Sequence, residues 1–254
     1  MAHSKELAKN LFQPILKEYF KTSKSLSCAE IGVQYGTLSN GIVEYLDPSL
    51  LYLIDPWDED NQKFKSMRLP VISNSEIREA YITTKNQPYI KNNPKIKFLK
   101  LKSIDAFQHI PNNSLDWVFI DGDHSYKGVS LDLEGVLPKM KPNSIIFGDD
   151  LTWDKKYHKN EELVESKYGH YSTVKALHKF QQNHLNIIES LELSPDLVNP
   201  SKTILSGIGR ENGSWVSIKI KNVLNKLAPY KLNKHIGTSQ DIWLLKINKN
   251  LKHE

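Results

Sequence analysis

The stretch Cys28-Ala29-Glu30-Ile31-Gly32-Val33-Gln34-Tyr35-Gly36-Thr37 decides the fold class of this chain. Its first half is a short apolar strand, and its second half is a turn with the spacing acidic-x-Gly-x-x-x-Gly. Glycine at 32 and 36 would let the backbone turn sharply and approach a ligand, because no Cβ occupies that space. A helix starting near Thr37 would offer free N–H groups to an anionic group. Taken alone, the motif also fits an ordinary tight βα turn.

The alternation of apolar runs and amphipathic stretches continues outward from this turn as far as residue 148. Apolar runs predict strands at 27–33, 50–55, 96–101, 115–121 and 144–148. Helical periodicity lies between them at 37–46, 74–85, 103–110 and 125–140. This order is typical of βα units around a mostly parallel sheet, and strands that are apolar throughout require helices on both faces.

The flanks of this region predict further elements. Residues 5–20 predict an amphipathic helix with a kink at Pro14, within an N-terminal helical cap (1–24) that packs on the sheet edge or covers a ligand cleft. A polar excursion at 151–168 follows the fifth strand and predicts a lid over residues 151–170. The last third predicts a helix at 174–183 and strands at 184–192, 215–221 and 241–247. We expect residues 1–254 to form one domain.

Composition excludes several classes of protein. With 39% hydrophobic residues, 25% charged residues and a mean hydropathy of −0.48, the chain is of the soluble globular type. No apolar run approaches the ~18 residues that a bilayer span needs. Cys28 is the single cysteine, so no intrachain disulfide can form, and residues 1–10 lack a secretory apolar stretch. Both features favour a cytoplasmic location.

The basic residues do not form a pattern typical of nucleic-acid binding. The net charge is +5, and the arginines are only Arg68, Arg78 and Arg210. Nucleic-acid binders usually concentrate arginine on one face, because its planar group makes bidentate contacts that lysine cannot make. The lysines here are spread along the chain among asparagines, so this charge pattern disfavours a nucleic-acid partner.

Asp55 ends the second predicted strand, about 20 residues beyond the glycine turn, where an acidic residue can accept hydrogen bonds from two ribose hydroxyls. The glycine turn and Asp55 together therefore indicate a cofactor that contains adenosine. The alternative is that Asp55 caps a turn, for which the following Pro56 is suitable.

Acidic side chains also follow the fourth and fifth strands, as Asp121-Gly122-Asp123-His124 and Asp149-Asp150. Parallel strands bring these ends to the same edge of the sheet. Carboxylates grouped in this way repel one another unless a cation neutralises them, and oxygen ligands suit Mg²⁺, Ca²⁺ or Mn²⁺. We assign Asp121, Asp149 and Asp150 as ligands, with Asp123 pointing away or orienting His124. The alternative is that the aspartates cap turns and helix starts.

His124 is the candidate general base. An unperturbed imidazole titrates near ~6.5, so it could take a proton from a substrate hydroxyl at neutral pH. The alternative is a surface histidine that bonds a loop carbonyl.

Three segments together resemble the class I S-adenosylmethionine (SAM)-dependent methyltransferases: residues 29–33, 120–126 and 148–150. More narrowly, they resemble the family that includes the macrolide-sugar and aminocoumarin-sugar O-methyltransferases. The likeness covers roughly residues 28–151. It implies a Rossmann-like α/β fold with a seven-stranded sheet and SAM lying over its carboxyl edge.

The resemblance also implies roles for single residues. Glu30, Gly32 and Gly36 would surround the methionine end of SAM, Asp55 would hold the ribose, and Ser103 would lie near the adenine. Asp121, Asp149 and Asp150 match the metal ligands of the family, and His124 matches a general base. The cofactor site that we predict also includes Thr37, Trp57 and Asp121.

One departure from the family lies at the end of the third strand. The family often has Gly-Asp-Ser there, whereas this chain has Leu101-Lys102-Ser103. A lysine replaces the aspartate, and Asp105 could substitute for it.

The resulting hypothesis is a SAM-dependent O-methyltransferase, assisted by Mg²⁺ or another divalent cation, that acts on a vicinal diol or catechol, with a sugar preferred over a phenol. Residues 57–70, the predicted lid and the N-terminal helix would build the acceptor pocket, and a homo-oligomer is compatible with these features. One alternative is an NAD-dependent oxidoreductase. Others are a nucleic-acid methyltransferase, a silent RNA-binding module and a non-catalytic scaffold.

Overall fold

The computed structural model describes residues 5–57, 73–149, 172–193 and 243–248. Its strands are β1 (Ser27–Ile31), β2 (Leu50–Ile54), β3 (Ile96–Leu99), β4 (Leu115–Ile120), β5 (Met140–Gly148), β6 (Ile188–Leu193) and β7 (Trp243–Ile247). Its α-helices are α1 (Gln13–Phe20), α2 (Thr37–Leu46), α3 (Asn74–Asn86), α4 (Ser103–Ala106), α5 (Tyr126–Val136) and α6 (Ser172–Asn183). Within these ranges there is no helix with the length and hydrophobicity needed to cross a lipid bilayer.

The strands form one seven-stranded sheet in the order β3-β2-β1-β4-β5-β7-β6. The first five strands are parallel, and β7 runs antiparallel to both β5 and β6. The chain order reverses between β1 and β4, which is where open α/β sheets bind their ligands. The predicted Rossmann-like, mostly parallel sheet is confirmed.

Helices cover both faces of the sheet, as the continuously apolar strands require. Alternate strand residues face opposite ways, so Ile31 and Ile120 pack with α5 and α6, while Trp117 and Phe119 pack with the N-terminal segment, α2 and α3. Every residue of β1 is buried. Two layers of apolar side chains therefore hold the sheet between its helices.

The N-terminal segment packs differently from our prediction. A π-helical turn, Ala8–Phe12, precedes α1, and Pro14 lies at the start of that helix, where its missing N–H is tolerated. Phe12 contacts Trp117, Phe119 and Phe147 at ring-centroid distances of 5.9, 4.8 and 4.7 Å. The segment thus covers one face of the sheet centre rather than its edge.

Several predicted boundaries shift for local reasons. β1 ends at Ile31 because Gly32 leaves the extended region, with φ of +87°. The helix predicted at 125–140 ends at Val136, two residues before Pro138. β5 begins at Met140, four residues earlier than predicted. The strand predicted at 184–192 begins only at Ile188, and the one at 241–247 begins at Trp243. The strand predicted at 215–221 and the lid at 151–170 lie outside the described residues.

Candidate active site

The carboxyl ends of β2, β1, β4 and β5 form a continuous edge. The cross-strand hydrogen bonds continue one residue past each strand: Gly32 N donates to Ile54 O at 2.9 Å, and Asp121 N donates to Ile31 O at 2.8 Å. Asp149 N donates to Ile120 O at 3.3 Å. The structure therefore brings the glycine turn and the two acidic strand ends to one edge, as the sequence predicted.

The two glycines of the turn have the backbone that the predicted sharp turn requires, and they also make room for other parts of the protein; their approach to a ligand stays a prediction. Gly32 and Gly36 have φ of +87° and +69°. A Cβ on Gly32 would lie 1.9 Å from Asp121 O, and one on Gly36 would lie 2.6 Å from the Cγ2 of Thr84. The observed neighbours are protein atoms, so the glycines allow β1 to approach β4 and α3 to approach the turn.

Asp55 holds this turn in place. Its Oδ2 accepts from Gln34 N at 2.9 Å, and its Oδ1 accepts from Trp57 N at 2.8 Å. Burial raises the pKa of Asp55, while hydrogen bonds from the N–H groups of Gln34, Trp57 and Val33 oppose that rise. The two carboxylate oxygens have four lone pairs in all, so the three N–H groups leave one for a further donor. The turn-capping alternative is observed, and the predicted contact with ribose stays a prediction.

Trp57 lies beneath the same turn. Its ring is 3% exposed and packs near Tyr81 and Phe98, with centroids 5.0 and 6.4 Å away. Its indole N–H donates to Gln34 O at 2.9 Å. Thr84 Oγ1 lies 3.0 Å from the same oxygen and shares its hydrogen between it and Ala80 O, which is 2.8 Å away. The observed role of Trp57 is to support the turn, and its contact with a cofactor stays a prediction.

The start of α2 offers backbone donors beside the turn. Gly36 is its N-cap residue and makes no side-chain cap hydrogen bond to the first turn, which begins at Thr37. Glu30 is buried, and its Oε2 accepts from Ser39 Oγ at 2.6 Å. Glu30 therefore ties β1 to this helix start, where the backbone N–H groups attract anionic groups.

Asp121 and His124 meet at the end of β4. His124 Nε2 lies 3.5 Å from Asp121 Oδ1, and the two side chains are 14% and 16% exposed. Asp123 Oδ1 accepts from Ser125 N at 3.0 Å, and Ser125 Oγ caps α5 by accepting from Gly128 N at 3.0 Å. Asp123 thus caps the turn before α5, which is the turn-capping alternative, and its orienting of His124 stays a prediction.

Asp149 follows β5 on the same edge and is 5% exposed. Its backbone carbonyl accepts from Trp243 Nε1 at 3.1 Å. Asp150, the third predicted metal ligand, lies outside the described residues. Within the part of the chain that the structure describes, no group of three or more histidine, cysteine or acidic side chains could hold a metal ion.

Ser103 begins α4 just beyond β3, and its Oγ donates to Asp132 Oδ1 on α5. Asp132 is 3% exposed, and burial raises its pKa to about 7, helped by the charge of Asp123 and opposed by the hydrogen bond from Ser103. Our sequence analysis missed this residue. The sequence pattern that could have identified Asp132 is its spacing: it lies three residues after Val129 and four before Val136, which places a carboxylate on the apolar face of a helix.

Thr84 and Trp243 were also missed, and the sequence holds no signal for either. Each is defined by a partner far away in the chain: Gln34 for Thr84 and Asp149 for Trp243.

Residues 29–151, just under half of the chain, match a family model described as a methyltransferase domain. This match agrees with the coarser part of the resemblance, since it covers the glycine turn and both acidic strand ends. Curated proteins yield no match to the chain.

The solved structures that match this chain include methyltransferases of several kinds. Phosphoethanolamine N-methyltransferase 2 from Haemonchus contortus, in complex with S-adenosyl-L-methionine, is 13% identical, with a TM-score of 0.49 over 94% of this chain and 52% of that one. The tRNA (m1A58) methyltransferase from Aquifex aeolicus is 12% identical, with a TM-score of 0.49 over 100% of this chain and 71% of that one. This chain thus spans about half the length of the Haemonchus protein.

Proposed function

We propose that this chain is a SAM-dependent methyltransferase that methylates a hydroxyl group of a sugar or another vicinal diol with the help of a divalent cation. The observation that supports the proposal best is the 3.5 Å approach of His124 Nε2 to Asp121 Oδ1, on the edge that also holds the glycine turn. The methyltransferase-domain match covers the same residues.

The glycine turn and α2 would bind the methionine end of the methyl donor. The first-turn N–H groups have no side-chain cap in the structure, so a carboxylate can accept from them. Asp55 has one lone pair left for a ribose hydroxyl after accepting the backbone N–H groups of Gln34, Trp57 and Val33. These residues fit the donor because they offer hydrogen bonds to its charged and hydroxylated ends.

His124 would remove the proton from the acceptor hydroxyl. Methyl transfer from a sulfonium is an in-line displacement, so the protein must align the oxygen and take its proton. Asp121 orients the imidazole and stabilises the positive charge that the ring gains with that proton. The low exposure of both side chains keeps this ion pair partly shielded from water.

Asp121, Asp149 and Asp150 would hold the divalent cation. Asp121 and Asp149 follow neighbouring strands, and carboxylates suit a hard cation such as Mg²⁺. When bound, the cation would orient two acceptor oxygens and make the hydroxyl more acidic.

The test combines His124→Gln with the matched control His109→Gln, an exposed histidine in the turn after α4. We expect His124→Gln to lower kcat about 10²- to 10⁴-fold with a sugar or catechol acceptor, while leaving SAM affinity in calorimetric titration unchanged. The control His109→Gln should keep both the kcat and the SAM affinity of the wild type. Full turnover in His124→Gln would contradict the proposed base.

The cation is tested with the double variant Asp149→Ala/Asp150→Ala. Methyl transfer should be lost, and binding of SAM should stay nearly intact, with and without added Mg²⁺. A double variant with full turnover would refute the metal role, and a wild-type protein that binds neither SAM nor its demethylated product would refute the whole assignment.

A further inference from the structure

Asp132 is a buried carboxyl group that the reaction proposed above does not use. It lies on the face of α5 that also buries Val129, Leu133 and Val136. The hydroxyl of Ser103, from the start of α4, donates to its Oδ1. An ionised carboxylate only accepts, so this contact directs the hydroxyl hydrogen of Ser103 inward, towards α5.

The oxygen of Ser103 therefore presents lone pairs away from Asp132. Ser103 is partly exposed, at the carboxyl edge of the sheet just past β3. β3 pairs with β2, and the strand spacing is about 4.8 Å, so a base attached to a ribose at Asp55 can reach Ser103. A hydroxyl fixed in this orientation accepts a hydrogen bond from the base and does not donate one.

We propose that Asp132 is a positioning residue that makes Ser103 a hydrogen-bond acceptor and thereby selects a 6-amino purine over a 6-oxo purine. The inference rests on the proposed function, because it concerns the adenine of the methyl donor. The amino group at position 6 of adenine donates, whereas the oxygen at that position of hypoxanthine would face the lone pairs of Ser103 and repel them.

This arrangement would also compensate for Lys102. At the position where the resembling family often has an aspartate, this chain has a lysine, which only donates. Asp132 and Ser103 together supply an acceptor at the same strand end. The competing candidate, Asp105, is exposed in the first turn of α4.

The experiment compares two ligands that differ at position 6: S-adenosylhomocysteine and S-inosylhomocysteine. Each is titrated by calorimetry, at pH 8, into the wild type, Asp132→Asn, Ser103→Ala and Asp105→Asn. The pH lies above the pKa of about 7 of Asp132, so the carboxylate is ionised. We expect the wild type to prefer the adenine ligand about tenfold, the difference that one hydrogen bond makes.

Asp132→Asn and Ser103→Ala should both bring the ratio of the two dissociation constants close to one. In Asp132→Asn, the asparagine amide can donate to the oxygen of Ser103, so the hydroxyl hydrogen of Ser103 is no longer held towards α5. In Ser103→Ala, the acceptor oxygen is removed. Asp105→Asn should keep the wild-type ratio. If Asp132 had a merely structural role, Asp132→Asn would bind both ligands more weakly by the same factor, and the ratio of the two dissociation constants would stay unchanged.

Four results would overturn the inference. They are a wild type without preference, a ratio that survives in Asp132→Asn or in Ser103→Ala, a ratio lost in Asp105→Asn alone, and a wild type that binds neither ligand. The last also refutes the proposed function, whereas the first three leave it standing. If Asp132→Asn fails to fold by circular dichroism, the wild type titrated at pH 5 decides the question: Asp132 is then protonated and can donate to Ser103, so the ratio should approach one.

Discussion

The carboxyl group of Asp132 is nearly removed from water, and this burial changes its protonation. Burial penalises the charged form, and the negative charge of Asp123 adds to the effect, so the pKa of Asp132 rises from 3.8 to about 7. The hydrogen bond from Ser103 favours the charged form and limits the rise. The folded protein therefore binds this proton more tightly than the unfolded chain does.

Stability should consequently fall as pH rises from about 4 to about 7, because the unfolded chain releases the proton first, whereas the folded state keeps it until near pH 7. Asp132→Asn removes this dependence. We expect the free energy of unfolding of the variant, relative to wild type, to rise by about 3 kcal/mol between pH 5 and pH 8, since the change is about 1.4 kcal/mol per pH unit up to the pKa of about 7. Urea unfolding at the two pH values measures the change. Asp105→Asn is the exposed control, and parallel pH dependence in wild type and Asp132→Asn would contradict the prediction.

The turn between β1 and α2 depends on contacts from other elements. β2 contributes Asp55 from its carboxyl end, and α3 contributes Thr84, whose hydroxyl donates to Gln34 O at 3.0 Å. Gln87, just after α3, donates from its side-chain amide to Tyr35 O at 3.2 Å. The backbone of the turn is thus fixed before any ligand arrives, which lowers the entropy cost of binding.

Gly32→Ala should damage this turn, whereas Gly122→Ala should not. A Cβ at residue 32 would meet Asp121 O at 1.9 Å, and φ there is +87°. A Cβ at residue 122 would meet no atom closer than 3.5 Å. We expect Gly32→Ala to lower the free energy of unfolding by about 1–3 kcal/mol or more and to weaken SAM binding.

Gly122→Ala should stay within about 0.5 kcal/mol of wild type. Urea unfolding and calorimetric titration of SAM distinguish the two variants. Equal losses in both would mean that the close approach of β1 and β4 is unimportant.

At the scale of the whole molecule, the last strand completes the edge built by the first five. β7 lies between β5 and β6, and its first residue, Trp243, donates to the carbonyl of Asp149, 94 positions earlier in the chain. The same ring occupies the space beside Gly148, where a Cβ would lie 2.4 Å from it. The C-terminal part of the chain therefore helps to position an acidic residue of the candidate active site.

Trp243→Phe keeps an aromatic ring and removes this donor. We expect a loss of about 1–3 kcal/mol in the free energy of unfolding, since a buried carbonyl loses its partner. We also expect methyl transfer to fall more than SAM affinity, because Asp149 lies on the acceptor side of our proposal. Trp117→Phe is the matched control: it changes a buried tryptophan in the core and should lower stability while leaving kcat unchanged. Equal effects of the two variants on kcat would refute a specific role for Trp243.

The order of strands and helices up to β5 was predictable, because hydrophobic periodicity is a local property of the sequence. The meeting of Asp121 and Asp149 at one edge was predictable too, since consecutive parallel strands end on the same side. The prediction that the N-terminal segment packs on the sheet edge was wrong, and its covering of a ligand cleft stays a prediction. An amphipathic pattern shows that one side is buried, but it does not show against which surface.

The sequence by itself determined the Rossmann-like class of the fold, the glycine turn and the edge on which the acidic residues lie. Only the tertiary structure decided that Gly32 makes room for Asp121, that Ser103 donates to Asp132 and that Trp243 holds Asp149. The physical reason is that strand periodicity and turn residues act over a few neighbours. Hydrogen bonds and close contacts between residues 29 to 94 positions apart exist only after the sheet and its helices have packed.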